Sequence, residues 1–183
     1  MIIKAFKGIR PNIENGTQPS NAVSLLADMG KLDAETTKGH IFLKEPKECL
    51  YVYRMVTHDH SQTGIMCCSA VEDYVNETIK PHELTQHCRV DYLKDLLIKS
   101  GLNKGPVLFS YQAVEQINDI VNAQIEGPAE HEFYGVDSVR HMLWVIRDQA
   151  LIGELISLFA KIPDCYIIDG HHRSEAAARV ASG

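Results

Sequence analysis

An apolar run, CYIID at 165–169, breaks at Gly170, and the two histidines and arginine of GHHR lead straight into SEAAARVA. Read as a strand turning into a helix, this corner leaves the first backbone amides of the helix without intrahelical partners. With the helix dipole, those amides form a site for an anion, phosphate above all. Gly170 lets the backbone turn sharply and lets a bulky ligand come close. Arg173 falls in the first helical turn, where a cation is electrostatically disfavoured. A bound phosphate, met through a bidentate contact, would supply the missing charge. His171 and His172 add further hydrogen-bond donors. A plainer structural account stands beside this one: Asp169 caps the helix through its carboxylate, and Arg173 pairs with it at the surface. The corner is shorter than a GxxxxGK[ST] loop, which the chain lacks.

A second group of candidates lies in IKPHELT at 79–85. Lys80 could neutralise phosphate oxygens, and Glu83 could take a proton from a substrate hydroxyl or hold Mg²⁺. Thr85 has the modest role of capping the helix that follows. Asp169, where it does not cap, is a metal-binding acid or a general base beside a γ-phosphate. Phosphoryl transfer asks mainly for positioning and charge neutralisation, which one Lys, one Arg, helix amides, a metal and one acid satisfy. His141 alternates with apolar neighbours in VRHMLWV and reads first as a hydrogen-bonded sheet histidine, with Arg140 on the opposite face. His58 and His60 flank Asp59 in a polar loop and read as solvated. A zinc site from His82, His171, His172 and a cysteine has neither CxxC nor HExxH behind it.

The elements that must position these residues follow from periodicity. IIKAFKGIR reads as a first strand ending at Pro11, and NAVSLLADMG as a helix capped by Asn21 and stopped by Gly30. ECLYVYRMVT and TGIMCCSA pair as a hairpin across HDHSQ, and VEDYVNETI is a short helix stopped near Pro81. Residues 85–100 space Val90, Leu93, Leu96 and Leu97 at helical intervals, closed by Gly101. GPVLFSY is a strand, read as central. AVEQINDIVNAQIEG puts Val114, Ile117, Ile120, Val121 and Ile125 on one helical face. A second hairpin turns at 135–138, QALIGELISLFAKI is an amphipathic helix, and CYIID is the last strand. The pattern predicts an α+β fold: one mixed, mainly antiparallel sheet with flanking helices, ending in a strand–DGHHR–helix unit.

Length and composition bound the function. The 183 residues suit one domain. A formal net charge of −6, without a basic run, disfavours tight binding to nucleic acid. The five cysteines, Cys49, Cys67, Cys68, Cys88 and Cys165, include no CxxC and read as reduced thiols. No leader-like or membrane-length apolar stretch occurs, so a cytoplasmic protein without membrane partners is expected.

DGHHR between a strand and an alanine-rich helix resembles the phosphate-binding box of the ParB/sulfiredoxin superfamily. More closely, the chain is similar to the bacterial family catalogued as domain of unknown function 1015. The resemblance runs through FKGIRP (6–11), LYVYR (50–54), GI (64–65), VEDYVNETIKPHELT (71–85), GPVLFSY (105–111), VRHMLWVI (139–146) and YIIDGHHRSEAA (166–177). It covers most of 49–179 and implies a single ParB-like domain over 1–183, with 1–48 divergent or shortened and 49–183 as core. The superfamily includes free-serine kinases, ATP-using sulfiredoxins and CTP-hydrolysing ParB proteins. The resemblance therefore implies ATP or another nucleoside triphosphate, with Mg²⁺, held by Gly170, His171, His172 and Arg173. Lys80, His82, His141 and Arg10 are implied to line the same pocket, with Glu83 and Asp169 as catalytic or metal-holding acids. The expected activity is phosphoryl transfer to a small hydroxyl-bearing acceptor, or hydrolysis of the triphosphate. The alternatives are a nucleotide-gated interaction module, for which a homodimer is one form, a degenerate scaffold, and last a nuclease.

Overall fold

A computed structural model describes residues 1–11, 26–28, 42–103, 105–135 and 138–182. Within them the strands are β1 (Ile3–Lys4), β2 (Gly8–Pro11), β3 (Leu26–Asp28), β4 (Phe42–Lys44), β5 (Leu50–Val56), β6 (Ser61–Met66), β7 (Cys68–Ser69), β8 (Ile79–Lys80), β9 (Leu102–Asn103), β10 (Leu108–Ser110), β11 (His131–Tyr134), β12 (Arg140–Ile146) and β13 (Cys165–Asp169). The helices are α1 (Val71–Val75), α2 (His87–Ser100), α3 (Glu115–Ile125), α4 (Gln149–Phe159) and α5 (His171–Ala181). The fold is α+β with mostly antiparallel pairing, as the sequence predicts. Instead of one sheet, however, the described strands form several: β11-β12-β5-β6, β4-β2-β3-β9, β10-β13-β8 and β1-β7.

The hairpins β5/β6 and β11/β12 form where expected and join through antiparallel β12 and β5. These two central strands are almost continuously apolar because both of their faces are buried. On one face Leu50, Val52, Trp144 and Ile146 meet the apolar sides of α3 and α4, including Ile117, Ile152, Leu155 and Phe159. The five apolar residues assigned to one face of α3 all pack there. Opposite, Tyr51, Leu143 and Val145 pack with Phe6 and Tyr53. The Tyr51 hydroxyl satisfies itself between the Gly8 amide and the Phe6 carbonyl. α4 starts at Asp148, whose side chain accepts a bond from the Ala150 amide at 2.9 Å.

The smaller sheet carries the end of the chain. β13 pairs antiparallel with β10 and parallel with β8, so Cys165 aligns with Ile79 and Tyr166 with Lys80. Cys165 and Ile167 face the core, whereas Tyr166 and Ile168 are about half exposed. α5 then packs on α2 and α1. Arg179 locks this helical layer by reaching Glu175, Asp91 and His87, while Tyr74 donates to Glu175. α2 ends as expected at Gly101, which is left-handed (φ 63°) and returns its amide to Leu97.

Four local expectations fail. Leu26–Asp28, placed in a helix by the sequence, is a strand between β2 and β9, because pairing overrides a weak helical pattern; Asn21 and Gly30 lie outside the described residues. The first strand is two pieces, β1 and β2, with an isolated bridge between Phe6 and Cys49. Among the described residues β10 is an edge strand instead of a central one, bordered there by β13 alone. Thr85 is not the cap of α2: that position is Gln86, with no side-chain capping bond. All five cysteines are free thiols.

Candidate functional site at the β13–α5 corner

The turn from β13 into α5 is made by Gly170 at φ 99° and ψ 26°, a conformation that an L side chain resists. The first intrahelical bond runs from the Ser174 amide to the Gly170 carbonyl, so the amides of His171, His172 and Arg173 precede the ladder. Asp169 is not the N-cap of the helix, a position that Gly170 holds. Its carboxylate instead receives Arg173 Nη2 at 2.6 Å, at side-chain exposures of 74% and 31%. The plainer account of the corner is therefore half present: the ion pair forms and the cap does not.

Arg173 is folded back over the turn. A Cβ built on Gly170 would lie 3.0 Å from its Nε and Nη2, and one on Gly105 would lie 3.1 Å from Nη1. Gly105 is itself at φ 85°, so two glycines in strained turns make room for one guanidinium. Val107 closes the same spot, 3.2 Å from a Cβ on Gly170.

The histidines take a role that their types did not reveal. His171 is buried, and its Nε2 accepts a long bond (3.4 Å) from the His82 amide. Its Nδ1 faces Glu83 Oε2 at 3.6 Å. The His82 ring stands edge-on to His171 at 4.4 Å. His172 Nε2 accepts from the Gln86 amide at 3.1 Å. Two consecutive histidines thus pin the loop between β8 and α2 onto the first turn of α5. Glu83 is held beside the corner with its own side chain 62% exposed.

The structure gathers Asp169, Gly170, His171, His172, Arg173, His82 and Glu83, and places three other candidates elsewhere. Lys80 Nζ is 2.5 Å from Asp164 and over the Tyr166 ring, at the opposite end of β13 from Asp169. The Asp164 hydrogen bond raises its pKa. Arg10 lies 3.5 Å from buried Glu45, which also holds Arg147; Arg147 in turn pairs with Glu130. His141 is buried in the β12 strand, bonded through Nδ1 to Tyr53 at 2.6 Å and stacked on Phe133, as a sheet histidine would be. Arg140, its neighbour in the strand, pairs with Glu132. Sequence reasoning missed Gly105, Val107 and Gln86; the Gly-Pro turn at 105–106 was the one available signal for the first.

Asp169 and Glu83 have different partners. Among the described residues no three His, Cys, Asp or Glu side chains gather as they would around a metal. A cleft lined by Gln112, Val114, Leu158 and Lys161 contains none of the corner residues. No helix among the described residues is long and apolar enough to cross a membrane.

These features define an α+β protein, largely antiparallel, with a glycine-built strand-to-helix corner covered by an arginine. The chain belongs to the family described as "Protein of unknown function (DUF1015)", whose sequence model matches residues 6–182. No curated protein and no solved structure matches it.

Proposed function

We propose that the corner binds the phosphates of a nucleoside triphosphate, as in the ParB/sulfiredoxin proteins that its DGHHR motif resembles, and that the protein is a small-molecule phosphotransferase or NTP hydrolase. One observation carries this: a first-turn arginine lies over two positive-φ glycines, at the amide end of a helix. A turn that lacks Cβ atoms at a helix N-terminus, covered by the flexible end of an arginine, suits close approach of an oligophosphate once that guanidinium turns to meet it. Arg173 and the amides of 171–173 would hold phosphate, while His171 and His172 position the 82–86 loop. Glu83 would take the proton from an acceptor hydroxyl as that oxygen bonds the γ-phosphorus and the bond to the β-phosphate oxygen breaks. Mg²⁺ characteristically arrives with the phosphates and needs only one or two carboxylates, which suits Glu83 or Asp169 better than a preformed cage.

A second reading is favoured by the bonds from His171 and His172 into the 82–86 loop: a nucleotide-gated module, in which binding repositions α2 without turnover. A titration of ATP, CTP and GTP with Mg²⁺, followed by melting temperature and by release of nucleoside diphosphate, separates the two. Triphosphate at 100 times its dissociation constant adds about 2.7 kcal/mol of stability. Wild type should show that gain with at least one nucleotide, and Arg173→Ala should lose it. Glu83→Gln should keep binding and lose turnover if the protein is an enzyme. Stabilisation without product selects the module, and no stabilisation by any triphosphate defeats both.

A further inference from the structure

Among the described residues, the exposed sheet edges are blunted with one exception. β1, β7, β8 and β9 are two residues long, and β8 runs into Pro81. β4 has three residues and ends in Lys44. β10 has three and carries a register shift between Leu108 and Phe109. β11 has four, with Glu132 charged and paired to Arg140. Short length, charge and bulges are the usual protections against pairing with another chain. β6 has none of them: six residues, SQTGIM, without charge or proline, paired to β5 in unbroken register. Its positions 61–64 are all exposed.

The backbone groups on that edge can be assigned. At the hairpin end the Thr57 amide donates to the His60 carbonyl at 2.8 Å. Antiparallel pairs alternate between hydrogen-bonded and non-hydrogen-bonded, so Gln62, Gly64 and Met66 bond inward to β5. Ser61, Thr63 and Ile65 therefore turn their N–H and C=O groups outward.

We propose that β6 pairs antiparallel with β6 of a second copy of this chain, about a two-fold axis at Thr63. Thr63 then lies opposite its counterpart in a hydrogen-bonded pair, and Ser61 lies opposite the second copy's Ile65. Residues 61, 63 and 65 exchange about six backbone bonds with their mates. No charge meets a like charge, and a threonine pair sits at the centre, a favourable cross-strand combination. That self-complementarity under a two-fold is what selects a second copy over an unrelated strand. The proposal is independent of the nucleotide reading, since β6 and the corner belong to different sheets.

Sedimentation of the full chain over about 1–200 µM tests it. Wild type should pass from one chain mass to two. Thr63→Lys, a change at an exposed site, should raise the dissociation constant at least tenfold while leaving circular dichroism and melting unchanged. In a Cys68→Ser, Cys88→Ser background, Thr63→Cys should form a disulfide dimer under mild oxidation. Hydrogen-bonded antiparallel mates have Cα atoms about 5.5 Å apart, within disulfide reach. A wild type that stays monomeric throughout overturns the proposal, and so does a dimer indifferent to Thr63→Lys.

Discussion

Gly170→Ala is the sharpest probe of the corner. The backbone there stands at φ 99°, and a left-handed residue with a Cβ costs about 1–2 kcal/mol. The added methyl would also lie 3.0 Å from two nitrogens of Arg173 and 3.2 Å from Val107 Cγ1. The guanidinium is a flexible end and can move, giving up an exposed pair with Asp169 worth no more than about 1 kcal/mol. Together these come to about 1–3 kcal/mol, which in a chain of this length lowers the melting temperature by roughly 2–12 °C. Gly153→Ala is the control: it sits inside α4 with nothing within 4 Å of a built Cβ, and there alanine should add about 0.5–1 kcal/mol. Urea denaturation followed by circular dichroism gives both values. A Gly170→Ala protein within about 0.5 kcal/mol of wild type, beside a stabilised Gly153→Ala, would refute the claim that this turn requires glycine. If phosphate binds where Arg173 now lies, the same variant should also weaken triphosphate binding at least tenfold.

Other perturbations test the frame around the site. Glu45→Ala removes a buried carboxylate that faces Arg10 and Arg147, and should cost about 2–4 kcal/mol by urea titration; a loss below about 0.5 kcal/mol would mark the cluster as inert. Stability should fall on acidification. Burial raises the Glu130 pKa, but the Arg147 hydrogen bond and charge outweigh it and leave the group below 4.5. Its contribution is therefore present above 4.5 and lost as pH falls through the lowered folded value. His131, depressed from 6.5 by burial and then by Arg10, acts in the same sense, its contribution complete above 6.5 and declining below it. Denaturation curves between about pH 7 and pH 3 should show both steps, with His131→Gln flattening only the upper one; an unchanged upper step contradicts the assignment. Thiol labelling of the native protein should reach exposed Cys88 first, then exposed Cys68, whose pKa desolvation raises, and both well before Cys67, which burial pushes up to about 12, and before buried Cys49 and Cys165; early labelling of Cys165 would contradict the packing at β13.

Much of the frame was legible because its signals are local. The α3 and α4 stripes, both long hairpins, the Gly101 stop and the final strand and helix all follow from period and punctuation within a few residues. Leu26–Asp28 was misread because three residues held between β2 and β9 depend on partners that periodicity does not contain. β10 was read as central because a short apolar run looks the same whether one or two strands flank it. The site divides in the same way. The glycine turn and the amide end of α5 were visible in IIDGHHRSEAA, whereas the histidines' partners lie 89 and 86 residues away in sequence. Residue type suggested donors to a ligand; the fold uses both rings as acceptors for backbone amides. Lys80 and Arg10 were grouped with the corner by motif, but carboxylates that no spacing rule identifies, Asp164 and Glu45, hold them.

The Asp169 pair does not keep Arg173 from a ligand. With the carboxylate 74% exposed and the guanidinium 31% exposed, water competes for both, and such pairs are worth about 0–1 kcal/mol. A phosphate at the amides of 171–173 would offer the same guanidinium two parallel charge-assisted bonds, next to the favourable end of a helix dipole. The exchange would cost little and gain more, provided the anion arrives with enough charge. Asp169 would then be freed at the mouth of the site, next to the anion, where its charge is tolerable only with a cation beside it. A triphosphate carrying Mg²⁺ meets that condition and inorganic phosphate alone does not, so Asp169→Asn should narrow the difference in affinity between the two. If Asp169→Asn instead leaves the preference for the magnesium-loaded triphosphate intact, Asp169 serves only to park the arginine.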